Sequence, residues 1–178
     1  GIYHENPFII PPYVTIEGIG STIAPLDENN PLITASGNTT LREIGLQTPN
    51  TSFAVDVVGS DVKIGSIDVT GSGNGVRMTD VSGVTVNDGV FRTGLANSLT
   101  IDNSVVELFN VDAVGSTSIL ATNSAYVNMT DVITSGVYGI DMTNNAIVNF
   151  NNVRIPSATI GVRLTNSANI SGITMIMD

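Results

Sequence analysis

Residues 139–166 read GIDMTNNAIVNFNNVRIPSATIGVRLTN, and within them GIDMTN from Gly139 returns as GVRLTN from Gly161. The same phrase stands earlier as GVRMTD from Gly75, and looser copies fill the intervals. Aligning the first apolar position of each copy gives Ile33, Val55, Val76, Leu99, Ile119, Ile140 and Val162, with steps of 22, 21, 23, 20, 21 and 22 residues. A period that regular marks a solenoid, whose repeats cannot bury an apolar face alone and must stack to make a core.

Within the quoted stretch, Ile140 and Met142 alternate with Asp141, Val148 and Phe150 with Asn149, and Val153 and Ile155 with Arg154. Period-two alternation in three short runs predicts three strands per coil, each sending one set of side chains inward. The preceding coil repeats the layout with Ile119 and Ala121, Val127 and Met129, then Val132 and Thr134. The following one repeats it with Val162 and Leu164, Ile170, then Ile173 and Met175.

Three strands at about 3.3 Å per residue plus short corners fill such a circuit, and each circuit rises by about 4.8 Å. The expected fold is all-β, a parallel β-helix solenoid of about seven coils. Crossovers between parallel strands are right-handed in nearly all cases, so a right-handed coil is expected. A two-sheet sandwich would not produce a column of equivalent residues at a fixed step. The chain reads as a single β-helix domain over 1–178, with a lead-in segment and first coil at 1–32 and regular coils at 33–178. It also reads as a fragment of a larger protein.

Hydrophobic residues make up 42% of the chain and charged ones 12%, so solubility rests on Ser, Thr, Asn and Gly. The net charge of −10 comes from 16 carboxylates against six Lys plus Arg. It opposes nucleic acid, which needs a basic stripe, and anionic membrane surfaces. No run reaches the roughly 18 apolar residues of a membrane span. With no cysteine, disulfides, thiol catalysis and Cys-based metal sites are excluded.

A second column follows the inward positions: Asn103, Asn123, Asn144 and Asn166, at steps of 20, 21 and 22. Asn tolerates the left-handed backbone of a sharp corner, and its amide both donates and accepts along a stack of like neighbours. These four residues are expected to form a structural ladder, with Thr122, Thr143 and Thr165 beside them.

The repeat and the Asn column resemble the right-handed parallel β-helix superfamily of pectate lyases, polygalacturonases, pectin methylesterases and many phage and viral spike domains. The opening GIYHENP from Gly1, followed by YVTIEGIG from Tyr13, is similar to the first-coil phrase of such proteins. The resemblance implies fold, and it places any chemistry on an outer face.

On such a face the outward positions form columns along the rod. The first strands present Asp56, Arg77, Thr100, Leu120, Asp141 and Arg163. Asp56 with Arg77 and Asp141 with Arg163 fall one coil apart, close enough for cross-strand ion pairs of about 0.2 to 1 kcal/mol each. The second strands present Lys63, Thr85, Glu107, Asn128 and Asn149, and the third Asp68, Asp112, Ile133 and Arg154.

Asp112 and Arg154, two coils or about 10 Å apart, with Asp131 on the preceding corner, are the grouping that resembles a pectate lyase's calcium carboxylates and arginine. They are the catalytic candidates if the chain is an enzyme. Calcium wants six to eight oxygen ligands, and no dense carboxylate cluster accompanies them. The Asn-Thr-Asp, Asp-Asp, His-Gly and Arg-Ile-Lys set of polygalacturonases is absent in order, as is the Gln and paired-Asp motif of pectin methylesterases. The one histidine, His4, lies in the lead-in segment.

Asn-x-Ser/Thr sequons start at Asn38, Asn50, Asn128 and Asn169, and the tyrosines that could stack on sugar are Tyr3, Tyr13, Tyr126 and Tyr138, of which Tyr126 and Tyr138 are the better platforms. The function expected is non-catalytic: a rigid spacer and interaction surface of a viral or phage fibre or surface protein. Its location would be extracellular or on the virion. A glycan or cell-surface receptor and a homo-oligomer, such as a trimer, are the expected partners. No cofactor, metal, nucleic acid or membrane insertion is expected. The rival readings are a polysaccharide-degrading lyase or hydrolase, and a secreted bacterial adhesin.

Overall fold

The computed structural model describes residues 1–177; Asp178, the last residue of the expected regular coils, lies outside the described residues. Every regular element is a strand, every pairing between strands is parallel, and the chain winds through about eight coils of three faces. The fold is a parallel β-helix. It has one coil more than the Ile33 column counts, because Phe8–Ile10 already stacks under Ile33–Ala35 and 15–25 completes that first circuit.

The first face carries the predicted column without a slip. Phe8 pairs with Ile33, and the register then runs Val55, Val76, Leu99, Ile119, Ile140 and Val162. Steps of different length are absorbed at the corners, so the inward positions stay aligned. The second face aligns Leu41, Ile64, Val86, Leu108, Met129 and Phe150 in the same way. The third aligns Leu46, Val69, Phe91, Ala113 and Thr134. Strand Ile2–Glu5 stacks beneath 22–25 on this third face.

The corner between the second and third faces holds one left-handed residue from Glu43, Ser66 and Asp88 onward, and in the later coils the corner residues lie within the strands Val105–Thr122, Tyr126–Met142 and Ile147–Leu164, which wrap all three faces without interruption. Asn110, Asp131 and Asn152 are those residues, with φ of 51°, 54° and 56°. Asn and Asp accept this conformation more cheaply than other side chains.

The interior is filled by Val, Ile, Leu, Met and Ala. Phe91 is wholly buried between Val69 and Ala113, and Gly89 makes room for its ring, since a Cβ there would stand 2.6 Å from Cε2. The paired small residues Gly115 and Gly136 let two coils approach at a tight corner. One expected inward residue is not inward. Ile173 is 84% exposed, because Met175 takes the place opposite Val153 and Ile173 is left on the corner, its N–H donating to the Phe150 carbonyl.

Candidate functional site

The outward column of the first face is Thr34, Asp56, Arg77, Thr100, Leu120, Asp141 and Arg163. Arg77 holds Asp56 with two bonds, Nε to Oδ1 at 2.8 Å and Nη2 to Oδ2 at 2.6 Å. Arg163 holds Asp141 in the same bidentate way. Each guanidinium also covers an aromatic ring three residues ahead of its acid, Phe53 at 4.6 Å and Tyr138 at 4.0 Å.

These contacts turn two surface ion pairs into semi-buried clamps, with the Asp56 and Asp141 side chains only 11% and 8% exposed. Hydrogen bonding to the carboxylates, set against some desolvation, raises the pKa of both arginines above the ordinary value. The spacing predicted the pairs and missed the rings. The signal was present, since Phe53-Ala54-Val55-Asp56 and Tyr138-Gly139-Ile140-Asp141 share one aromatic-x-x-Asp phrase, each with an Arg one coil later. Tyr138 is thus no open platform for a sugar, because a guanidinium occupies its face. Tyr126 stays 38% exposed, its hydroxyl accepting from Asn149 Nδ2 at 2.8 Å. Tyr3 and Tyr13 are both exposed.

On the third face, Asp112, Ile133 and Arg154 share one outward column on successive coils, with the apolar Ile133 between the two charges. Asp112 turns the other way and meets Arg92 at 3.4 Å, and Arg92 also reaches Asp68 at 3.8 Å. Asp131 accepts from Asn152 Nδ2 at 2.6 Å on the coil above. Asp112 and Asp131 do line one shallow groove, together with Asp88 and Asn110. Among the described residues, no three His, Asp or Glu side chains converge as a metal-binding group.

The Asn column is left-handed throughout, with φ of 44° at Asn103, 51° at Asn123, 54° at Asn144 and 52° at Asn166. Its upper part is a true amide ladder, as Asn166 donates to Asn144 and Asn144 to Asn123, each at 3.0 Å. Lower down the partners change. Asn123 donates to Asp102 at 2.8 Å, while Asn103 donates to Asp80 at 2.7 Å. A carboxylate can only accept, so each Asp ends a run of amides.

A second corner ladder, missed in the sequence, stands between the second and third faces. There Asn110 donates to Asp88 and Asn152 to Asp131, both at 2.6 Å. The steps of 22, 21 and 21 from Asp88 through Asn152 were visible, but the mixture of Asp and Asn concealed the column.

Of the sequons, Asn38, Asn50 and Asn169 are exposed, and Asn128 is half-buried and accepts from Asn149 at 3.2 Å. His4 lies near the corner where the third face turns into the first, on the rim of a recess of about 310 Å³ that Glu28, Gln47 and Thr70 also line. The chain matches no protein-family model and no curated protein in sequence.

Proposed function

We propose that the chain is a non-catalytic rod, a right-handed β-helix of the pectate-lyase-like type that serves as rigid spacer and interaction surface of a viral or phage fibre or other surface protein. Its place would be extracellular or on the virion. Its partners would be a glycan or cell-surface receptor, and further copies of itself.

The observation that carries this reading is how the outward charges are spent. Arg42, Arg77, Arg92 and Arg163 each bind a carboxylate of an adjacent coil. Groups engaged in holding coil to coil are stiffening devices, and a catalytic acid or base must instead reach a substrate atom. The candidate trio of Asp112, Asp131 and Arg154 is divided in the same manner, with Asp112 turned to Arg92 and Asp131 to Asn152.

A panel of acidic and neutral polysaccharides, with and without calcium, tests the reading. A lyase would form an ultraviolet-absorbing unsaturated product and a hydrolase would release reducing ends. Neither should rise above background. Turnover that disappeared in Asp112→Ala or Arg154→Ala would replace the rod with the enzyme.

A further inference from the structure

We infer that the recess at the corner between the third and first faces binds one neutral sugar residue, which gives the interaction surface proposed above a location and a ligand class. The recess measures about 310 Å³ and is walled by strand Ile2–Glu5 and parts of three successive coils. That is the lower end of the size range of small-molecule pockets, suited to a single ring rather than an extended chain.

Its frame is fixed by hydrogen bonds. The Asn50 N–H donates to Glu28 Oε2 at 2.6 Å, Ser72 Oγ donates to Asn50 Oδ1 at 2.7 Å, and the Gly73 N–H donates to Thr48 Oγ1 at 2.8 Å. Four polar groups on the lining have no partner among the described residues: the His4 imidazole, the Gln47 amide, the Thr70 hydroxyl and Glu28 Oε1. Gln47 and Thr70 are register partners on adjacent coils, so their side chains stand about one strand spacing apart. Ala24, the partner of His4, contributes only a methyl group and is itself covered, so the polar side chains of His4, Gln47 and Thr70 supply the functional groups of this wall.

The chemistry of these groups selects the ligand. Imidazole, amide and hydroxyl each offer both donor and acceptor capacity, as a sugar hydroxyl does. A bound cation would want acceptors alone, and an anion donors alone. Anions are opposed further by Glu28 in the wall and by the lack of any Lys or Arg in the first 41 residues, which hold Glu5, Glu17, Asp27 and Glu28.

The test uses the whole chain. Methyl glycosides of neutral hexoses are titrated by NMR, and an array of glycans with neutral or acidic termini is probed in parallel. Expected are saturable shifts at His4, Gln47 and Thr70 and capture of neutral rather than acidic termini. Gln47→Leu and Thr70→Val should each weaken binding about tenfold, the loss of about one hydrogen bond, with an unchanged unfolding midpoint. Asn149→Ala, on the second face, should leave binding intact. Shifts with the free glycosides identify the ring itself as ligand, and capture only on the array assigns it to a glycan terminus. No shift in the recess with any probe, binding indifferent to both variants, or preference for acidic termini would overturn the proposal. Glycan binding that mapped to the second face would remove the recess and leave the interaction surface. Polysaccharide cleavage with recess binding intact would remove the non-catalytic reading alone.

Discussion

Arg163 reaches across one coil to Asp141, with Nε donating to Oδ1 at 2.8 Å, while its guanidinium plane rests 4.0 Å from the Tyr138 ring centre. The arrangement repeats four coils below in Arg77, Asp56 and Phe53. Arg can fork onto a carboxylate and stack on a ring at once, which Lys cannot. Arg77→Ala should therefore cost about 1 to 2 kcal/mol, above the value of an exposed pair, Arg163→Ala should lower the unfolding midpoint in the same direction, and Arg→Lys should recover little at either site. Urea unfolding of the single and double variants checks this. A coupling energy near zero between Arg163 and Asp141 would refute the clamp.

Asn144 is the middle rung of the amide ladder, bonded to both Asn123 and Asn166. Asn144→Ala should destabilise the rod by about 1 to 3 kcal/mol, from the unsatisfied neighbours and the left-handed backbone. Asn144→Gly restores the backbone share alone and should fall between wild type and Ala. Equal midpoints for all three would count against a structural ladder.

Gly136 has φ of 149°, and a Cβ on it would stand 1.8 Å from the Gly115 carbonyl oxygen. Backbone cannot step aside for that atom. Gly136→Ala should cost about 3 kcal/mol or more. Gly20, at φ of 65° with no atom within 4 Å of its would-be Cβ, should lose only about 1 kcal/mol. Thermal or urea midpoints of the two variants should separate clearly.

The last described coil leaves Leu164 44% and Met177 62% exposed beside Phe150, Val162, Ile170 and Met175. Apolar side chains at an unpaired parallel edge invite another chain to cover them. Sedimentation of this chain should show association that grows with concentration, and Leu164→Lys with Met177→Lys should reduce it. A strict monomer at high concentration would refute the prediction.

Asp27 accepts the Asn29 N–H at 2.9 Å and Asn30 Nδ2 at 2.7 Å. The backbone bond from Asn29, then the amide of Asn30, lower its pKa below the ordinary value. A lowered folded-state pKa means that this turn's contribution is complete above the unfolded value and is lost as pH falls through the folded one. An NMR titration should place the Asp27 midpoint below that of a model carboxylate, and Asp27→Ala should remove the acid-side loosening of 27–30.

The coil step, the three strands per coil and the inward columns were all legible in the sequence, because alternation is a property of neighbours along the chain and the period repeats it. Ile33 through Val162 fell into register as read, and so did the pairing of Asp56 with Arg77 and of Asp141 with Arg163. Ile173 failed because one extra corner residue reverses which side of the strand a side chain faces.

What only the tertiary structure decided is which partner each outward side chain takes. With coils about 4.8 Å apart, a side chain can turn to the coil above or the coil below. Asp112 turned to Arg92 rather than toward Arg154, and Asn123 to Asp102 rather than to Asn103. The recess lined by His4, Glu28, Gln47 and Thr70 was out of reach for the same reason. Its residues come from four separate passes of the chain, and stacking alone sets them around one volume.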